Sequence, residues 1–70
     1  MKDLSSCLYH TGTRIRASHR IASLAGDIPA GWQGEVEYLT EDFAKRILYG
    51  VRWDMTGKIS MAYENDLEPL

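Results

Sequence analysis

The sequence predicts an all-β fold, five short strands rolled into a small barrel, and three observations carry that expectation. Apolar side chains recur at every second position over residues 13–17, 33–39, 47–53 and 58–63, the pattern of a half-buried strand. Glycine, proline and aspartate punctuate the chain between those runs, as in small barrels and sandwiches rather than in a βαβ sheet. The chain has 70 residues, enough for one domain, and a domain this small buries only about 60% of the surface its unfolded chain exposes.

Residues 1–11 read as a lead-in of weak pattern, in which Leu4, Leu8 and Tyr9 can pack as a helical turn or as an extra edge strand. The barrel domain is expected over residues 12–70. Its first strand, Thr13-Arg14-Ile15-Arg16-Ala17, turns Ile15 inward and Arg14 and Arg16 outward. His19 to Gly31 reads as a long loop, since Pro29 fixes φ and Gly26 and Gly31 permit positive φ. Ile21 to Ala25 is long enough for one helical turn within it. Gln33 to Leu39 is the second strand, with Val36 and Tyr38 on one face and Glu35 and Glu37 on the other. Gly34 marks a bulge or a close backbone approach.

Thr40 to Arg46 is a polar connection that Thr40 is placed to cap. Ile47 to Trp53 is the third strand, with Ile47, Tyr49, Val51 and Trp53 on one face. Asp54-Met55-Thr56-Gly57 is a tight hairpin turn whose Gly57 sits where positive φ is needed. Lys58 to Tyr63 is the fourth strand, with Ile59, Met61 and Tyr63 sharing a face. Glu64 to Leu67 reads as a single 3-10 turn, and Leu67 to Leu70 as a last short strand. Ile15, Val36, Val51, Ile59 and Leu67 are expected to converge on one core.

Three segments carry a family resemblance: Gly12-Thr13-Arg14-Ile15-Arg16, Gly31-Trp32-Gln33-Gly34-Glu35-Val36 and Tyr49-Gly50-Val51-Arg52-Trp53, completed by Glu64-Asn65-Asp66-Leu67-Glu68-Pro69. Over residues 12–70 the order of elements resembles the SH3-like small barrels of bacteria, phages and plasmids. That resemblance implies a five-stranded SH3-like barrel with a long first loop and a short helical or 3-10 turn. Such a fold hosts many unrelated functions. Within it, Thr13 to Arg16 and Trp32-Gln33-Gly34 are similar to segments of the type II dihydrofolate reductases, which form tetramers around one shared pore. Where that family has a lysine after its strand-one arginine, this chain has Ala17. Where it has valine-glutamine-isoleucine-tyrosine, this chain has Ser60-Met61-Ala62-Tyr63, which keeps only the tyrosine.

Composition removes several function classes. A net charge of −2 lacks the basic excess that drives phosphate binding through counterion release. Seven aromatic residues, Tyr9, Trp32, Tyr38, Phe43, Tyr49, Trp53 and Tyr63, argue against a disordered chain. With Cys7 as the single cysteine, no intrachain disulfide forms. No apolar run approaches the roughly 18 residues of a membrane span. Met1-Lys2-Asp3 leads into no apolar leader core, so a cytoplasmic location with no membrane contact is the expectation.

The chemistry-bearing residues are sparse. Cys7 and His10 have zinc-like spacing, but with His19 they make only three soft ligands where a structural zinc takes four. Ser18 and His19 are adjacent, and neighbours on a strand point to opposite faces. Glu41, Asp42, Asp54, Glu64, Asp66 and Glu68 fall in turns and near the end of the chain, where solvated carboxylates are ordinary. Arg14 and Arg16 are expected opposite Glu35 and Glu37, where cross-strand opposite charges add about 0.2–1 kcal/mol each.

Trp32 stands at a loop-to-strand junction after Pro29-Ala30-Gly31, where a half-exposed tryptophan serves as an interface anchor. The resulting expectation is a non-enzymatic binding module or accessory protein, with no metal and no cofactor. Its contact residues would be Arg14, Arg16, His19, Arg20, Leu24, Ile28 and Trp32, and its partner another protein or a second copy. The alternatives are a nucleic-acid-associated barrel using Arg14, Arg16 and Arg20, and an oligomeric reductase of the dihydrofolate reductase kind.

Overall fold

The computed structural model describes residues 8–24 and 26–70, so Leu4, Cys7 and Ala25 lie outside the described residues. Five strands form: β1 (Arg14–Ala17), β2 (Gln33–Glu41), β3 (Ile47–Trp53), β4 (Ile59–Tyr63) and β5 (Leu67–Pro69). A 3-10 turn, Glu64–Asp66, joins β4 to β5. Every pairing is antiparallel and the sheet order is β4-β3-β2-β1-β5. The fold is therefore all-β, a meander of β2, β3 and β4 with β1 beside β2 and β5 returning along β1. β4 and β5 are the two edges of the sheet.

β2 is the middle strand of the sheet, and its neighbour β3 gives the core its largest face, because every inward side chain of β3 is apolar. Ile47, Tyr49, Val51 and Trp53 are all buried, joined by Ile15 and Ala17 of β1, Val36 of β2, Ala62 of β4 and Leu67 of β5. Tyr9 joins this core ahead of the expected barrel start at residue 12. Its ring meets Tyr49 edge-on at 5.5 Å between centroids, and its amide donates to the Tyr49 hydroxyl at 3.2 Å.

β2 departs from its expected facing. Val36 pairs with Val51, yet Tyr38 pairs with the next residue of β3, Gly50. Glu37 is thus the extra residue of a β-bulge, which inverts the alternation beyond it. Leu39 packs on the core while Tyr38 is 44% exposed, so Val36 and Tyr38 do not share a face. The Tyr38 ring lies over Gly50, where an added Cβ would collide with it. Gly34 marks a close approach instead of the bulge. A Cβ there would sit 2.7 Å from the Arg52 carbonyl oxygen and 2.8 Å from Val51 Cγ1.

β4 is inverted as well. Ser60 and Ala62 face the core, opposite Val51 and Tyr49, while Ile59 is 39% exposed on the outer face and is not a core residue. The reason is volume: Tyr49 and Trp53 fill the space under β4, so only small side chains fit opposite them. Trp53 Nε1 donates to Ser60 Oγ at 2.8 Å, which satisfies the indole inside the core.

Asp42, not Thr40, organises the β2–β3 connection. Its Oδ1 accepts from the amides of Ala44 and Arg46, each at 2.9 Å, and Lys45 takes positive φ of 64°. The β3–β4 turn closes through the Gly57 amide on the Trp53 carbonyl at 2.7 Å, with Gly57 at φ 71°. Arg14 lies opposite Glu35, but Arg16 lies opposite Gln33 rather than Glu37, since an antiparallel partner runs backwards.

Candidate functional site

The first loop is short of helix and rich in return contacts. Ile21 and Ile28 exchange two backbone hydrogen bonds, both 2.8 Å, as an antiparallel bridge. That bridge stands in place of the expected helical turn over the described residues Ile21 to Leu24. Both isoleucine side chains are buried in the core, so the loop folds back to close one end of the sheet. Leu24, at its tip, is fully exposed. Gly31, at φ 90°, turns the chain into β2, and the Gly31 amide donates to Ala17 while the Ala17 amide donates to Trp32, each at 2.8 Å.

These bonds hold Trp32 half-buried against the core and between two depressions. On one side is a groove of about 230 Å³ walled by the loop and the β3–β4 hairpin. Trp32, Trp53, Ile28 and Ile59 make its apolar lining, and Asp27 and Lys58 bring one charge of each sign to it. On the other side Trp32 borders a hollow of about 280 Å³ with Gln33, Asp54 and Met55. A third groove, of about 350 Å³, runs between Ala22-Ser23-Leu24 and Ile59-Ser60-Met61.

The arginines are tied to carboxylates. Arg14 is bidentate on Asp54, with Nη1 donating to Oδ1 at 3.0 Å. Arg16 Nε meets Glu68 at 2.6 Å, Arg20 meets Asp27 at 3.4 Å, Arg46 meets Asp42 at 3.0 Å and Arg52 meets Glu37 at 3.3 Å. His19 Nε2 lies 2.9 Å from Asp66. Exposed pairs of this kind add only about 0–1 kcal/mol each, but they neutralise the charge that a phosphate would seek. The Arg14 hydrogen bond also holds the Asp54 carboxyl below the usual carboxylate range.

The expected contact residues therefore separate. Trp32 and Arg20, through Asp27, belong to the first groove, and Arg14 borders the hollow through Asp54. Leu24 belongs to the third groove. Ile28 presents itself only from beneath, being 6% exposed. Arg16 and His19 are drawn away to β5 and the 3-10 turn. The Ser18 hydroxyl donates to the Asn65 carbonyl at 3.1 Å, and His19 Nδ1 lies 2.9 Å from the Arg20 carbonyl.

Sequence reasoning missed a polar cluster at the opposite end of the sheet. Tyr63 donates its hydroxyl to Asp42 Oδ2 at 2.7 Å, Arg46 Nε donates to the same oxygen at 3.0 Å, and the Arg46 guanidinium lies 4.3 Å from the Tyr63 ring centroid. The Arg46 amide and then the Tyr63 hydroxyl hold the Asp42 carboxyl down at about 2. Asp42 in turn raises the Tyr63 phenol. The signal in the sequence was the four-residue spacing of Asp42 and Arg46, which is uninformative outside a helix.

Among the described residues no group of three or more His, Cys, Asp or Glu side chains comes together as a metal site. Nor is any helix there long and apolar enough to cross a membrane. No protein-family model matches the chain, and neither a curated protein nor a solved structure matches it.

Proposed function

We propose that the chain is a non-enzymatic SH3-like binding module that takes a protein partner in the groove beside Trp32. Support for the SH3-like reading is the element order: a long loop after β1, a tight β3–β4 turn, and a 3-10 turn leading into an edge β5. The single observation that carries the binding reading is Trp32 itself. It is held at the edge of the core with open grooves on both sides, the position of an anchor residue in an interface. The pairing of all five arginines with carboxylates favours a protein over a nucleic acid.

The test captures partners from the source organism with the immobilised full chain, purifies the main one, and titrates it. Trp32→Ala is expected to weaken binding by about 2 kcal/mol, roughly thirtyfold, when measured well below the variant's own melting temperature. Unchanged affinity overturns the site. Salt-dependent binding of a duplex oligonucleotide that Arg14→Ala weakens overturns the partner class, and stoichiometric NADPH binding overturns the non-enzymatic reading.

A further inference from the structure

The two edges of the sheet are built differently. β5 is three residues long and carries Glu68 and Pro69, both of which discourage edge pairing. β4 reads Ile59-Ser60-Met61-Ala62-Tyr63, with no charge, no proline and no bulge. Its free groups follow from the ladder. The Lys58 carbonyl accepts from the Trp53 amide at 3.0 Å, so residues of the same parity, Ser60 and Ala62, direct their backbone groups to β3. Ile59 and Met61 direct theirs outward, toward the groove that separates β4 from Leu24. Tyr63 also points outward, but its amide is taken by Asp66 Oδ2 at 3.0 Å.

We infer that β4 is the contact between two copies of this chain, pairing antiparallel across a two-fold axis at Met61. A two-fold perpendicular to the sheet must centre on a residue, because directly opposed residues then face the same side. Centring on Met61 uses the whole strand. Met61 exchanges two hydrogen bonds with the partner subunit's Met61, and Ile59 lies beside the partner subunit's Tyr63. The same register carries Lys58, the residue before β4, toward the partner subunit's Glu64, the first residue after it, twice by symmetry.

That charge match is what selects a second copy over an unrelated strand. Lys58 forms no ion pair among the described residues, unlike the arginines. Glu64 lies on the core side, where its Oε2 accepts from the Tyr49 hydroxyl at 2.7 Å. Lys58 shares the parity of Ser60 and Ala62 and so lies on that side too. On the outer face, the Tyr38 hydroxyl reaches Met61 Sδ at 3.3 Å, so the Tyr38–Gly50–Met61 row becomes continuous across the axis. This contact shares Lys58 and Ile59 with the groove beside Trp32 but not Trp32 itself, so Met61→Lys and Trp32→Ala tell the two surfaces apart.

Sedimentation of the full chain across a concentration series tests the assignment. The expected result is a reversible dimer of twice the 7.9 kDa chain, with Met61 and Ile59 amides gaining hydrogen-exchange protection as concentration rises. Met61→Lys places a charge on the edge, and Lys58→Glu opposes two carboxylates. Each is expected to raise the dissociation constant at least about tenfold while melting of the dilute protein is unchanged. A wild-type chain that stays monomeric at high concentration overturns the inference. So does a dimer that survives both substitutions, or one lost on Trp32→Ala alone, which would move the self-contact to the groove.

Discussion

Gly34→Ala is the sharpest test of the β2–β3 packing, because the added methyl group meets backbone. Its Cβ would lie 2.7 Å from the Arg52 carbonyl oxygen, 2.8 Å from Val51 Cγ1 and 3.1 Å from Trp53 Cε3. The carbonyl cannot retreat without disturbing the Gly34–Trp53 and Glu35–Arg52 register, and Trp53 is pinned by its bond to Ser60. Overpacking of this kind costs about 1–3 kcal/mol, a large share of the roughly 3–5 kcal/mol that a domain this small holds. At about 2 kcal/mol, and about 4–8 °C per kcal/mol, the melting temperature falls by roughly 8–16 °C.

Gly50→Ala is the control. There the obstacle is the tip of the exposed Tyr38 ring, which swings aside, so the change in stability stays within about 1 kcal/mol. Thermal melts of both variants by circular dichroism decide the matter. Equal shifts, or a Gly34→Ala melt within about 2 °C of wild type, would refute the close approach.

Two further outcomes follow from the core and from the Asp42 turn. Val51→Ala, at a fully buried position of β3, lowers stability by about 1–3 kcal/mol in urea denaturation, and an unchanged midpoint would place Val51 outside the core. Asp42 has its carboxyl depressed to about 2 from 3.8, so the stability it contributes is complete above about pH 4 and is lost as pH falls through about 2. Asp42→Asn should therefore show a shallower fall of melting temperature between those limits than wild type, and parallel curves would disprove the linkage.

The facing of β3 was legible because Ile47, Tyr49, Val51 and Trp53 offer the core no other face. β2 was not, since Tyr38 and Leu39 are both apolar and the alternation survives either choice. What decides is Gly50, which leaves room for the Tyr38 ring on the outer face, and that needs the pairing partner. β4 misleads in the other direction: its more apolar set, Ile59, Met61 and Tyr63, lies outside because Tyr49 and Trp53 have already filled the interior. At the site, the junction chemistry around Gly31 pointed to Trp32. Nothing in the loop sequence separated exposed Leu24 from buried Ile28, because the Ile21–Ile28 bridge joins residues seven apart.

Charge distribution ties the two proposed surfaces together. With the arginines held by carboxylates, Lys58 is a cation left without an ion pair among the described residues, and it stands both in the Trp32 groove and at the head of β4. A protein that draws its ammonium into the groove removes it from the partner subunit's Glu64. A second copy that takes it at the edge removes it from the groove. Linkage makes such competition reciprocal, so the two proposed contacts, partner binding and self-association, would oppose one another with a single coupling energy. Lys58→Met is expected to reduce the coupling, read as a smaller shift of the dimer dissociation constant when the partner protein is added, with Ile59 and Ser60 still common to both surfaces.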